Sequence, residues 1–290
     1  MDRYTIADLE KLTGIRTGTI RIWERRYRII KPHRTDTNRR WYDDDDFKRI
    51  INISILYRHG FKISKIASMS GVEIAREVAL LTRETSDTDT QLDSLVVAMT
   101  DFNEKAINDI LMRAIINIGF EETFERIVFP FQRRVGVMWQ TGSVDIGAEH
   151  FMSNIFRKRL IVATDSLPPP DAPDRKRVQL YLPESEWHEL GLLFYAFVAR
   201  KAGHDTLYLG QSTPFNAMAD VAERWNADII ITGSLTGLPY DRPEDYLKRL
   251  SSVFSNRKIL VAGAMATAAG KKTFDNVFAV NSAAELKKHL

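Results

Sequence analysis

The 290 residues predict a multidomain chain, all α at first and α/β at the end, and three observations carry that expectation. Basic segments with helical spacing fill the first seventy residues. Apolar residues then recur at three- and four-residue intervals from Leu92 to Ala163. After "DSLPPPDAPDRKR" (165–177), short β-type runs alternate with helical ones to the end. A hydrophobic content of 44% suffices for more than one packed core. The absence of cysteine excludes disulfides and thiolate metal centres. The opening "MDRYTIADLE" has no apolar signal core and no apolar run reaches the ~18 residues of a membrane span, so the expected location is the cytoplasm.

The elements follow in order. In "TIADLEKLTG", Thr5 is placed to cap a helix, Asp8 sits three residues on, Ile6 and Leu9 share a face, and Gly14 stops the pattern. "IRTGTIRIWERRYRI" then carries Ile20, Trp23 and Tyr27 at helical spacing, with Arg16, Thr17, Thr19, Arg21, Arg25, Arg26 and Arg28 on the other positions. Two short helices joined at a glycine, the second one basic, predict a helix-turn-helix. "KPHRTDTNRRWY" has Pro32, a polar tip Thr35–Asn38 and a return through Arg39, Arg40, Trp41 and Tyr42, which predicts a small hairpin, or wing. Asp43–Asp46 favour the N-terminus of a third helix, Phe47–Arg58, and "KISKIASMS" predicts a short fourth.

The net charge of +3 conceals an asymmetry: residues 1–70 carry 16 Lys/Arg against 9 Asp/Glu, the remainder 25 against 29. Between Lys11 and Tyr42 ten basic residues face only Glu24 and Asp36, too few acids to neutralise them as a solvated face. Phosphates supply the missing anions, and guanidinium forks also read guanine edges, so double-stranded DNA is the expected partner. Residues 3 to 70 resemble the winged-helix DNA-binding domain of MerR-type transcriptional regulators. The resemblance implies that the Arg16–Arg28 helix enters the major groove and that Arg39 and Arg40 reach phosphates or the minor groove, with Tyr42 counted among the DNA-contacting residues.

Residues 72–86 are polar and predict a linker between a first domain (1–72) and a helical bundle (88–164) of about four helices, in which Leu95, Val96, Met99, Ile107, Ile110, Leu111, Ala114, Ile115 and Ile118 make the apolar face. No long heptad run is present, so oligomerisation would use another surface. Residues 165–177 predict a stiff, extended proline-rich linker. The final domain (178–290) shows five strand-like runs, "VQLYL", "TLYLG", "DIIITGS", "KILVAGAM" and "NVFAV", alternating with helices, which predicts a doubly wound parallel sheet of the flavodoxin type. Such sheets bind ligands beyond the carboxyl ends of their strands, where His188, Ser234 and Gly263 fall.

Residues exclude several ligands. A phosphoryl receiver needs aspartates where this chain offers Glu184 or Glu186 and "TGS". A dinucleotide fingerprint needs more glycines than Gly191, and "GAMATAAGKKT" has the wrong spacing for a P-loop, with Lys272 in place of Ser/Thr. What remains is metal coordination by one imidazole. Glu186-x-His188-x-x-Gly191, with Ser234-x-Thr236 and Gly263-Ala264, resembles the cobalamin-binding domain. By that resemblance His188 is the lower cobalt ligand, Glu186 holds its other nitrogen, and Ser234, Gly263 and Ala264 line the slot for the nucleotide tail. "WQTGSVDIGAEH" adds Trp139, then Glu149 and His150 at the spacing of the bundle that caps cobalamin in light-sensing MerR-type repressors of carotenoid genes, where tryptophan and glutamate pack around an adenosyl group.

The order of parts matches that family over nearly the whole chain. It implies a repressor, not an enzyme, that is controlled by cobalamin, adenosylcobalamin first, and forms a dimer or tetramer. Two departures stand out. Gln140 replaces the histidine that in the photoreceptors captures cobalt after light cleaves the cobalt–carbon bond, and an amide is a poorer ligand for low-spin cobalt. Ala264 replaces the second glycine and Thr236 a leucine. Two alternatives stay open: a cobalamin-independent regulator whose C-terminal parts contact a regulatory protein, and a cobalamin enzyme module, against which stand the DNA-binding domain and the lack of a substrate barrel.

Overall fold

The computed structural model describes residues 4–34, 39–84, 88–140, 144–235, 242–270 and 274–290, with the backbone alone for 82–84, 139 and 140. The chain divides into two units, Met1–Ile155 and Phe156–Leu290.

In the first unit, α1 (Ile6–Thr13) starts at the expected capping box: the Asp8 N–H donates to Thr5 Oγ1 at 3.3 Å and the Thr5 N–H to Asp8 Oδ2 at 2.7 Å. It ends at Gly14, whose φ of 72° only glycine adopts without cost. Helix α2 (Thr17–Tyr27) buries Ile20 and Trp23. β1 (His33–Arg34) and β2 (Arg40–Trp41) pair antiparallel as the wing, and the Thr35–Asn38 tip lies outside the described residues. Helix α3 (Asp44–Arg58) begins earlier than the sequence predicts, because Asp43 takes the cap and its side chain accepts the Asp46 N–H at 2.9 Å. Helix α4 (Ile63–Ala67) is the short fourth.

The predicted linker at 72–86 is corrected by α5 (Gly71–Glu84). A second capping box starts it: the Ser70 N–H donates to Glu73 Oε2 at 2.7 Å and the Glu73 N–H to Ser70 Oγ at 3.2 Å. Ile74 and Val78, four residues apart, are buried, and α5 packs on α3. The polar composition masked a helix with a narrow apolar face. Helices α6 (Thr88–Thr100), α7 (Glu104–Ile118), α8 (Phe120–Thr123) continued by α9 (Phe129–Gln140), and α10 (Ile146–Asp165) make four rods, as expected. A π-turn at 124–128 joins α8 to α9 just before Pro130, which lacks the N–H an α-turn would use there. Helix α6 is buried along nearly its whole length and packs against both α3 and α7.

Helix α10 ends in the second unit. The proline stretch after it is pinned: the Ala172 N–H donates to the Gly203 carbonyl at 3.2 Å, Arg175 pairs with Asp205 at 3.0 Å, and a Cβ on Gly203, whose φ is 86°, would collide with the Ala172 backbone. The five expected strands are β3 (Arg177–Pro183), β4 (Asp205–Thr213), β5 (Ile229–Ser234), β6 (Lys258–Gly263) and β7 (Val277–Ala279). Between and after them run α11 (Leu190–Lys201), α12 (Phe215–Trp225), α13 (Pro243–Val253), α14 (Ala264–Ala269) and α15 (Ala283–His289). The sheet is parallel throughout, in the order β4-β3-β5-β6-β7. β3 and β5 are neighbours inside the sheet and buried on both faces, hence their largely apolar sequences. The connection reverses direction between them, which makes their carboxyl ends the switch-point crevice of a doubly wound sheet.

Candidate nucleic-acid interface and ligand site

Helix α2 is amphipathic in charge as well as hydropathy. Its inner face carries Ile20 and Trp23; Arg16, Arg21, Arg25, Arg26 and Arg28 are exposed, and Thr17 and Thr19 are half-buried. The Thr17 N–H donates to Glu10 Oε2 at 3.1 Å, which ties the start of α2 to α1. Tyr27 is half-buried, with the Arg26 guanidinium 5.4 Å from its ring centre. On the wing, Arg39 and Arg40 are exposed, and Arg40 Nε lies 3.7 Å from Glu24 Oε2 on α2, so one expected DNA-facing cation is also the strut between wing and helix. Tyr42 is corrected: it has no exposed surface, pairs with Tyr4 through both backbone groups, and donates its hydroxyl to Glu24. Burial, then Glu24, raises its pKa far above that of a free phenol. It anchors the base of the wing and cannot meet DNA.

In the second unit, Glu186, His188, Ser234 and Gly263 come together at the carboxyl ends of β3, β5 and β6, as expected. Glu186 is 3% exposed and accepts four hydrogen bonds. Oε1 takes the N–H groups of Trp187 and His188, each at 3.0 Å, and His188 Nδ1 at 2.6 Å; Oε2 takes the Leu235 N–H at 2.8 Å, just past β5. Burial alone would raise the Glu186 pKa, but the imidazole and backbone donors outweigh it and hold it at about 2. An ionised carboxylate is only an acceptor, so Nδ1 donates in that hydrogen bond, and in the neutral imidazole Nε2 is the nitrogen that carries the lone pair. The His188 side chain is 54% exposed.

The loop that displays it is laced to its surroundings by residues that sequence reasoning missed. The Ser212 N–H donates to the Glu186 carbonyl at 3.1 Å, and Gln211 Nε2 to the Trp187 carbonyl at 2.8 Å. Glu189, 6% exposed, accepts the Tyr208 hydroxyl at 2.7 Å and the Arg157 guanidinium. Burial, then Glu189, pushes the Tyr208 pKa up, which keeps the phenol a donor. These partners come from β4 and α10, and no local spacing announces them.

Ser234 is 4% exposed and its Oγ has no hydrogen-bond partner, an orphan that a polar ligand group would satisfy. Its register partner Gly263 has φ of 64°, and a Cβ there would overlap the Ser234 carbonyl oxygen. Ala264 opens α14 and is half-buried; Gly191, in the first turn of α11, faces open space where a Cβ would point. A half-exposed imidazole at the strand ends and an orphaned buried hydroxyl beside it fit a corrinoid with a polar tail. In the first unit, Glu149 and His150 lie in the first turn of α10; Glu149 accepts the Ser153 hydroxyl and stands 3.6 Å from His150 Nε2, and His150 is exposed. Trp139 and Gln140 end α9, and their side chains, like Thr236 and Lys272, lie outside the described residues. Among the described residues no helix is long and apolar enough to cross a membrane.

Residues 4–70 match the MerR HTH family regulatory protein model and residues 91–163 the B12 binding domain model. The HTH-type transcriptional repressor CarH of Myxococcus xanthus is 28% identical over 85% of this chain and 84% of its own length. The repressor CarA of the same organism is 26% identical over 78% and 74%. Among solved structures, the monomethylamine corrinoid protein of Methanosarcina barkeri matches 70% of this chain and 98% of its own with 14% identity and a TM-score of 0.54, a likeness of fold alone. The chain is a transcriptional regulator of the MerR type that carries a B12-binding domain, homologous to the CarH and CarA repressors.

Proposed function

We propose that this regulator represses transcription under the control of adenosylcobalamin, which His188 would hold through its cobalt and which Trp139, Glu149 and His150 would help to bind. The observation that carries the reading is the His188–Glu186 pair, a half-exposed imidazole whose Nδ1 is held by a buried carboxylate, beside the orphaned Ser234 hydroxyl. Bound adenosylcobalamin supplies a cobalt–carbon bond that light can break. The chain's own residues then have separate tasks. Glu186 keeps the proton on Nδ1, Ser234 and Gly263 admit the tail, and Arg16, Thr17, Thr19, Arg21, Arg25, Arg26 and Tyr27 on α2, with Arg39 and Arg40 on the wing, hold the operator. Binding selects one arrangement of a dimer or tetramer, and paired wings on paired half-sites convert that arrangement into operator affinity.

The test is an absorption spectrum of the protein mixed with adenosylcobalamin in the dark, desalted, and recorded again after green light, alongside an operator gel shift under the same conditions. Corrinoid bands that survive desalting, are lost in His188→Ala, and accompany a change in operator affinity support the reading. Gln140 and Ala264 motivate a second one, a cobalamin-independent regulator acting through a protein partner; a colourless protein with one operator affinity throughout favours it.

A further inference from the structure

The winged helix and the bundle belong to one unit, and a buried ion cluster joins them. Asp93 on α6 is 1% exposed. It is held by Arg58, at the end of α3, and by Arg134 of α9, whose Nη1 lies 2.6 Å from Asp93 Oδ1. Arg134 does a second thing: its Nη2 donates to the Leu12 carbonyl at 2.6 Å, in the last turn of α1. Beside them His59 Nε2 and the buried Thr90 Oγ1 lie 2.9 Å apart, a further tie between the end of α3 and α6. Asp93 thus ties the helix after the wing to the bundle, and through Arg134 the bundle also holds the last turn of α1.

We propose that Asp93 and Arg134 form the joint through which the bundle sets the position of the DNA-reading helix. A helix transmits displacement along its axis as a rod. Arg134 lies five and six residues before Trp139 and Gln140 on the same helix, roughly 8 Å at ~1.5 Å per residue. A shift at that end of α9 therefore pulls on the Leu12 carbonyl. From Leu12 the chain passes through Gly14, in its left-handed turn, directly into α2. The turn borders an open surface pocket of about 380 Å³, lined by Leu12, Thr13 and Gly14 together with Arg58, Arg134 and Val137. A guanidinium is suited to this task, since its separate NH₂ groups hold a carboxylate and a carbonyl in one rigid plane, whereas a lysine offers a single rotatable ammonium. The part of this proposal that concerns ligand response rests on the cobalamin reading; the joint itself does not.

The experiment uses the full chain in two arms. In the first, hydrogen exchange without ligand is compared for wild type, Arg134→Lys and Asp93→Asn. The lysine keeps a charge near Asp93 and loses the fork, so it serves if a larger change prevents folding. Residues 10–20 should exchange about 10-fold faster in both variants, the factor expected for loss of a charge-assisted hydrogen bond, while residues 178–234 stay as in wild type. Wild-type rates at residues 10–20 in both variants overturn the joint. In the second arm, operator affinity is measured by fluorescence anisotropy with and without adenosylcobalamin. Arg134→Lys should still bind both, with the wild-type ratio of the two affinities reduced toward one; an unchanged ratio overturns the transmission. If wild type shows no ratio at all, it is the cobalamin reading that fails, and the exchange arm alone decides the joint.

Discussion

Replacing Glu186 by glutamine isolates the electrostatic part of the candidate ligand site. The carboxyl is 3% exposed, accepts four hydrogen bonds, and has its pKa at about 2 instead of the ordinary 4.5. Each pKa step is worth ~1.4 kcal/mol, so the ionised form contributes on the order of 3 kcal/mol to the second unit. The folded-state value lies below the unfolded one. That contribution is therefore fully present above pH ~4.5 and is lost as pH falls through about 2. A glutamine can satisfy some of the four donors with its oxygen, but its amide hydrogens would face the Leu235 N–H. The expected outcome is a loss of ~2–3 kcal/mol in Glu186→Gln at pH 7, shrinking to within ~0.5 kcal/mol of wild type near pH 2. Urea unfolding of both proteins across this range, followed by tryptophan fluorescence, reads it; Trp187 is 61% exposed beside the site and reports on this loop. A difference that is the same at pH 7 and pH 2 would falsify the assignment of Glu186 as a charged acceptor.

Three further outcomes are expected. Gly263→Ala places a Cβ against the Ser234 carbonyl at a positive φ, and should destabilise the second unit by at least ~2 kcal/mol in the same urea assay; a loss below ~0.5 kcal/mol means the backbone there relaxes freely. Arg39→Ala should lower the slope of log operator affinity against log salt by about one, and Arg40→Ala by less, because Glu24 already half-neutralises Arg40; equal slopes for all three proteins would show that the wing does not touch phosphate. Tyr42→Phe should cost ~1 kcal/mol of stability while leaving the salt slope unchanged, since its hydroxyl serves Glu24 inside the fold; a reduced slope would return Tyr42 to the DNA interface.

Much of this molecule is legible along the chain because the relevant signals are local. The Thr5–Asp8 capping box, Gly14 and the alternation of Ile20 and Trp23 with arginines specify α1 and α2 within a few residues of each other. The central strands β3 and β5 are legible because a strand covered on both faces is largely apolar. The misreading of α5 has the opposite cause: its box, Ser70 to Glu73, is as local as the first, but Ile74 and Val78 make an apolar face too narrow to stand out from polar neighbours. The place of Tyr42 is not legible locally, because an aromatic residue at the end of a basic hairpin has the same sequence appearance whether it faces DNA or packs beneath the wing. Only its pairing with Tyr4, thirty-eight positions earlier, distinguishes the two.

By itself, then, the sequence determined which residue types are available and which faces of each element are apolar or charged: a basic helix and wing, a bundle, a parallel sheet, and an imidazole with a carboxylate two residues before it. Those follow from spacing along one element, where the chain geometry is known in advance. The tertiary structure decided what the carboxylates do. Glu186 reaches the Leu235 N–H across β3 and β5, Glu24 holds Arg40 and Tyr42 across helix and wing, and Asp93 gathers arginines from α3 and α9. Each of these groups is buried with charge, and a buried charge persists only where partners from distant parts of the chain surround it. Such partners are set by how the elements pack in space, which no single stretch of sequence contains.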